Sequence, residues 1–262
     1  MAHEPVMSEI QKISRSEELT QKEVHQFWVE STNDFFSEKK TGIDISHRQD
    51  NYWKFLDQWE KEIVVENMPD GLTLDLGAGT GRITNFLRRL GKNVIASDFV
   101  FECLTAIEND CSAARSINMN ATALGLETGS IDCVVSCRVL QSLPSREEKE
   151  KAVKEISRIL KPGGTLILTE GNPLRVKIVP VPYNFYITLG EWKDLLRRNG
   201  FTIQKVYGIP FLSASKVLDK ITLGLMGRIK LPFRIANSAD HLLGASFLRG
   251  LALQFDIVAR KV

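Results

Sequence analysis

The chain has 262 residues, 43% hydrophobic and 25% charged, which suffices for one or two domains with a full core and no disulfide or metal staples. Lys+Arg of 34 against Asp+Glu of 32 leaves a net charge of only +2, which argues against nucleic acid as the main partner, and 18 glycines with 9 prolines exclude collagen-like and low-complexity classes. Cys103, Cys111, Cys133 and Cys137 form no C-x-x-C pair and no disulfide framework, so a reduced, cytoplasmic setting is expected.

In chain order, the first twenty residues show no apolar repeat and read as a loose tail, too polar for a signal peptide. Val24, Phe27, Trp28 and Phe35 then fall at helical spacing, and Tyr52, Phe55, Leu56, Trp59 and Ile63 repeat the pattern. Two amphipathic helices are predicted, joined by the polar stretch SEKKTGIDISHRQDN, which could move as a flap. From Leu72 short β-rich runs alternate with helical ones. LTLDL, NVIAS, IDCVVS and TLILTE read as strands, with a shorter one near 114–118, and TGRITNFLRRL, VFECLTAIEN and SREEKEKAVKEISRIL as helices. Lys161-Pro162-Gly163-Gly164 reads as a turn. Such alternation implies parallel βαβ units with right-handed crossovers, and hence a doubly wound sheet covered on both faces.

After Glu170 comes the Pro-containing stretch GNPLRVKIVPVPYNFY, then a helix LGEWKDLLRRNG with Gly200 at its cap. FTIQKVYG and LALQFDIVAR are the last two strands. Between them residues 208–250 form an apolar insert that sets Lys216, Lys220, Arg228, Lys230, Arg234 and Arg249 against Asp219 and Asp240. Its run ASKVLDKITLGLMGR has one apolar helical face, which fits a helix packed on the sheet, a lid over an acceptor, a weak membrane-surface contact or a dimer face. No uninterrupted apolar run of about 18 residues occurs, so no membrane span is expected.

The chemical signal lies in Leu72-Thr73-Leu74-Asp75-Leu76-Gly77-Ala78-Gly79-Thr80-Gly81, a strand entering a glycine turn and then a helix. Glycines there let the backbone approach a ligand at the carboxyl ends of parallel strands. The dinucleotide fingerprint needs Gly or Ala where Arg82 stands, which weakens NAD or FAD. Asp75 beside the turn would repel a pyrophosphate and suits a ligand carrying ammonium and sulfonium groups, which favours S-adenosylmethionine. Asp98 closes the second strand, where a carboxylate can accept two hydrogen bonds from a ribose diol; its alternative role is a helix N-cap.

At these residues the chain resembles the class I S-adenosylmethionine-dependent methyltransferases, in the style of the broad type-11 group of small-molecule enzymes. The resemblance covers about residues 72–207, through LDLGAGTGRIT, ASDF, NMNATALGLETGSIDCVVS and ISRILKPGGTLILTE. It implies an α/β, Rossmann-like sheet of seven mostly parallel strands in the order 3-2-1-4-5-7-6 with the last strand antiparallel, with N-terminal helices and a helical insert between the last two strands. Residues 1–66 would be tail and lid helices, 67–207 the cofactor-binding core, 208–250 the acceptor insert and 251–262 the final strand. By the resemblance, Asp75, Gly77, Ala78 and Gly79 surround the methionine portion, Asp98 holds the ribose and Phe99 packs beside the adenine. Asn120-Ala121 stands where many members read the adenine amino group with Asp-Ala, and Cys137 where a backbone carbonyl meets the methionine ammonium. The cofactor implied is S-adenosyl-L-methionine, leaving as S-adenosyl-L-homocysteine.

Methyl transfer needs an acceptor held in line with the methyl, and a base only if the acceptor carries a proton to remove. The candidates for that base are His25, His47, His241, Tyr52, Tyr183 and Tyr186, with His241 and Tyr183 placed in segments expected to cover the acceptor. Many relatives carry a His after the fourth strand, where this chain reads Cys137-Arg138-Val139-Leu140-Gln141-Ser142-Leu143. No Asn-Pro-Pro-Tyr, Asp-Pro-Pro-Tyr or Pro-Cys motif of nucleic-acid enzymes follows that strand, and no metal-ligand spacing is present. The reading is a methyltransferase for a small, partly apolar metabolite such as a polyketide, quinone or lipid-like intermediate. The alternatives are a noncatalytic protein of the same fold, or an enzyme acting on protein or RNA.

Overall fold

The computed structural model describes residues 20–34, 51–110, 115–173, 184–209, 252 and 254–262. The Thr20 amide and hydroxyl both donate to the Glu23 carboxylate at 2.8 and 2.7 Å while the Glu23 amide donates back to the hydroxyl. This reciprocal cap starts α1, Gln21–Asp34, and a second amphipathic helix, α2, spans Asn51–Asn67. Then follow β1 Leu72–Leu76, α3 Arg82–Arg89, β2 Asn93–Asp98, α4 Phe101–Asp110, β3 Arg115–Asn118 and β4 Ile131–Cys137. A short 3₁₀ turn, Leu140–Ser142, leads to α5 Arg146–Ile159, β5 Leu160–Gly171, α6 Leu189–Arg198, β6 Phe201–Ile209 and β7 Gln254–Lys261.

The seven strands form one sheet in the order β3-β2-β1-β4-β5-β7-β6, parallel except for β7, which runs antiparallel to both of its neighbours. This is the expected topology, and the reason is legible: continuous apolar runs such as β4 bury both faces, so helices must cover each side. On one face Leu74, Val134, Leu166 and Ile257 pack against Ile156 of α5 and Trp192 of α6. On the other, Val135, Ile167 and Val258 pack against Leu56, Trp59 and Ile63 of α2 and Leu87 of α3. Smaller side chains, Ala78, Ala96, Leu104 and Ile107, seat α4 close to the start of the glycine turn.

One expected turn is absorbed into a strand. Lys161-Pro162-Gly163-Gly164 lies within β5, with Ile131 opposite Leu160 and Cys133 opposite Thr165, so the extra residues form an irregularity in the ladder rather than a break. Arg260 on β7 donates to the Gly163 carbonyl at 3.0 Å and fixes that irregularity. β6 continues to Ile209, past the expected start of the insert at 208. The rest of the insert, the flap between α1 and α2, and the tail lie outside the described residues.

Candidate active site

The sheet register sets one row of residues at the carboxyl ends of the parallel strands. Leu76 is level with Ser97 and Ser136, so the next position brings Gly77 between Asp98 of β2 and Cys137 of β4. The row continues directly from Cys137 to Thr169, Asp256 and Tyr207. Past β1 the chain turns back on β2: the Gly77 and Ala78 amides both donate to the Ser97 carbonyl at 2.8 Å. That geometry places Gly77, Gly79 and Gly81 at φ of 72°, 55° and 93°. A Cβ on Gly77 would lie 2.2 Å from Val139 Cγ2, whereas a Cβ on Gly79 would meet nothing within 4 Å. Open space therefore begins at Gly79.

Asp98 borders this space. Its Oδ2 accepts from the Gly79 amide at 2.8 Å and its Oδ1 from the Val100 amide at 2.9 Å, so the carboxylate clamps the turn and also caps the start of α4. The helix-cap role is thus filled. Phe99 also contributes a backbone hydrogen bond, so of the carboxylate's roughly four lone-pair sites one is left for a ribose hydroxyl. Burial raises the Asp98 pKa, against the backbone amides that favour its charged form. Phe99 beside it is 40% exposed, an apolar platform at the edge of the space. An open cradle, a carboxylate with spare acceptor capacity and an aromatic face fit an adenosyl group.

Beneath the turn Asp75 is buried and accepts from the Thr84 hydroxyl at 2.6 Å. Burial pushes its pKa up to about 6, opposed by the Thr84 bond and the Arg82 charge, so it is mostly ionised at neutral pH. It adds negative charge below the glycine turn.

Next to it lies an ionic layer under α2 that the sequence did not announce. Glu60 is fully buried and its two oxygens meet Arg82 at 2.6 Å and Arg138 at 3.2 Å, with Gln254 Nε2 donating at 3.0 Å. Arg82 also reaches Asp57 at 3.0 Å. Arg138 sits at φ 62°, the one described non-glycine residue in the left-handed region, and its amide donates to the Thr169 carbonyl at 2.7 Å. Asp256 accepts from Trp59 Nε1 at 3.1 Å and from the Thr169 hydroxyl at 2.5 Å, and burial pushes its pKa up to about 7. The available signal was local: Glu60 adjoins Trp59 on the apolar side of α2, and Asp256 interrupts an apolar strand.

A second buried set holds the turn after β4. Lys149 of α5 is fully buried; its ammonium donates to the carbonyls of Leu140 and Leu143. Glu170 accepts from the Leu140 amide at 3.0 Å and Gln141 Oε1 from the Gly171 amide at 2.9 Å. Desolvation pushes Glu170 up to about 8 and Lys149 down to about 8. The turn they fix carries Val139 against Gly77.

Of the other residues singled out, Cys137 lies at the end of β4 with its thiol pushed up to about 12 by burial beside Glu60, which leaves it neutral and no nucleophile. Cys133 is likewise buried and pushed up to about 12. Ala121 is buried, and Asn120 is occupied by its own loop: its Oδ1 accepts from the Thr122 amide and hydroxyl. His25 of α1 stands edge-on to Phe99 with ring centroids 4.5 Å apart. The Tyr186 hydroxyl accepts from Asn184, which in turn accepts from Ser142. Tyr52 belongs to α2, and His47, Tyr183 and His241 lie outside the described residues. No helix among the described residues is long and apolar enough to cross a membrane.

Residues 74–168 match the profile of the family described as Methyltransferase domain. The chain is 32% identical over 128 residues to the ubiquinone/menaquinone biosynthesis C-methyltransferase UbiE of Hydrogenovibrio crunogenus, covering 45% of this chain and 49% of that protein. It is also 32% identical over 162 residues to phosphoethanolamine N-methyltransferase 1 of Triticum aestivum, covering 58% and 31%. The chain thus spans half or less of the length of these curated relatives. A solved S-adenosylmethionine-dependent methyltransferase of Methanosarcina mazei superposes with a TM-score of 0.56 at 21% identity, covering 76% of this chain and 97% of that one. Residues 74–168 thus carry the profile of a methyltransferase domain, on a fold shared with the solved methyltransferase.

Proposed function

We propose that this chain transfers a methyl group from S-adenosylmethionine to a small, partly apolar acceptor. The observation that carries the reading is the open space before Gly79, bordered by the Asp98 carboxylate. Bound there, the cofactor supplies a methyl on a cationic sulfur that is already a good leaving group, so holding the acceptor in line does most of the work. Asp98 holds the ribose, the turn at Gly77, Ala78 and Gly79 takes the methionine end with the Cys137 carbonyl beside it, and Asp75 supplies negative charge under the sulfonium. The small-molecule class rests on relatives named for quinone and phosphoethanolamine methylation, and its partly apolar character on the quinone relative and the apolar, basic composition of 208–250. His241 and Tyr183 are the candidates for taking a proton from a hydroxyl acceptor.

Replacing Asp98 with Ala removes a charge-assisted hydrogen bond to the ribose and is expected to weaken S-adenosylmethionine binding by roughly tenfold or more by calorimetry. Unchanged affinity would remove the site assignment. With methyl-labelled cofactor and a cell extract, label should pass into the solvent-extractable fraction. Label confined to precipitated protein or nucleic acid would overturn the small-molecule reading.

Charge gives a second test. Because Asp75 titrates at about 6, lowering the pH through that value protonates it and removes the attraction for the sulfonium. Binding of S-adenosylmethionine should therefore weaken several-fold between pH 7 and pH 5 relative to S-adenosylhomocysteine, whose thioether is neutral. A ratio of the two affinities that stays flat over this range would show that Asp75 does not face the sulfonium.

A further inference from the structure

Asn120 cannot accept from an adenine amino group as it stands. Its Oδ1 takes the Thr122 amide at 3.0 Å and the Thr122 hydroxyl at 2.9 Å, which fills both acceptor directions of an amide oxygen. Its Nδ2 donates at 3.0 Å to Gln21 Oε1, on α1. Gln21 Nε2 in turn donates to Glu148 of α5. Farther along α1, the Thr32 hydroxyl lies 3.3 Å from Cys103 Sγ on α4. α1 therefore crosses from α4, over the carboxyl ends of β2 and β3, to α5. Gln21 and His25 are four residues apart and share one helix face, and His25 meets the Phe99 ring edge-on.

A side-chain amide has two acceptor and two donor positions. Asn120 and Glu148 use one of each on Gln21, which leaves one acceptor and one donor. That remaining pair complements an adenine edge, where an amino donor adjoins a ring-nitrogen acceptor, the pairing by which Gln reads adenine in nucleic acids. Resting on the reading that the crevice takes S-adenosylmethionine, we propose that Gln21 of the N-terminal helix reads the adenine of the cofactor, with Asn120 and Glu148 as positioning residues that hold its amide. The element that covers the crevice then also selects the base beneath it.

Calorimetric titration with S-adenosylhomocysteine and with S-inosylhomocysteine tests this, because the inosine base replaces the amino donor with a carbonyl acceptor. The wild-type chain should prefer the adenine compound by on the order of tenfold or more. In Gln21→Ala the adenine compound should weaken while the preference falls toward one. Asn120→Ala should reduce the preference only in part, since Glu148 still holds the amide. A Gln21→Ala variant that binds both compounds less well but keeps the wild-type ratio would reduce Gln21 to a structural role and overturn the inference. So would loss of the preference in Asn120→Ala but not in Gln21→Ala. A wild-type chain that binds neither compound would instead remove the cofactor reading itself, and this inference with it.

Discussion

Glu60→Ala is expected to lower folding stability by about 3–5 kcal/mol, the usual cost of removing one partner from a buried ion pair. The loss is large because Glu60 is buried and shared by two guanidinium groups, Arg82 at 2.6 Å and Arg138 at 3.2 Å. Without it Arg82 retains Asp57, which is partly exposed and so a weaker counter-charge, while Arg138 loses the only acidic partner within ion-pair distance among the described residues. In a chain of this size each kcal/mol moves the melting temperature by about 2–4 °C, so a drop of roughly 6–20 °C is expected in thermal unfolding. Glu66→Ala, on the exposed side of the same helix, should stay within about 0.5 kcal/mol of the parent. Equal melting of the two variants would show that the buried Glu60 pairs add nothing to stability. Function should follow stability here, since Arg82 opens α3 directly after Gly81 and Arg138 follows β4, the two segments that frame the glycine turn.

The framework of the site was legible because it is encoded locally. LTLDLGAGTG needs glycines at positive φ whatever packs around it, and Asp98 declares itself by closing a strand and preceding a helix. The alternation of apolar strands with amphipathic helices gave the doubly wound sheet, and the strand order came from the family resemblance. The ionic layer was not legible for the opposite reason. Glu60, Arg82, Arg138, Gln254 and Asp256 come from four segments, the last two from β7, and whether a charge is buried depends on partners far away in the chain. Lys149 sits in the stretch REEKEK, which reads as a solvated face until the carbonyls of Leu140 and Leu143 are known to lie above it. Asn120 was a near miss: Thr122 two residues on is the usual partner for an Asn side chain in a turn, and it takes the oxygen expected to face adenine. The strand over Lys161–Gly164 was hidden by residues that normally mark turns; Gly163 does take a left-handed φ of 75°, but Arg260 on a strand about a hundred residues later ties its carbonyl to the sheet.

Gly77→Ala and Gly79→Ala should separate folding from binding, although the two glycines lie two residues apart at similar positive φ. Each substitution costs about 1–2 kcal/mol for placing a Cβ in the left-handed region. At Gly77 the new methyl would also lie 2.2 Å from Val139 Cγ2, and Val139 cannot move freely because the neighbouring Leu140 is held by Lys149 and Glu170. Overpacking there adds about 1–3 kcal/mol, so a total near 2–5 kcal/mol is expected in denaturant unfolding. Truncating the obstruction should recover part of it: the Gly77→Ala, Val139→Ala double variant should be more stable than the sum of the single effects predicts. At Gly79 nothing lies within 4 Å, so only the backbone cost of about 1–2 kcal/mol applies and the variant should stay folded. Yet that methyl projects into the open space beside the Asp98 carboxylate, so S-adenosylmethionine binding should fall by at least about tenfold, the equivalent of a 1.4 kcal/mol clash. A stable Gly79→Ala protein that bound the cofactor normally would mean that the space before the turn is not where the ligand lies. Additive single effects in the Gly77 cycle would mean that Val139 does not confine the turn. The opposite result in both arms would make the same short segment a packing joint at its first glycine and a ligand contact at its second.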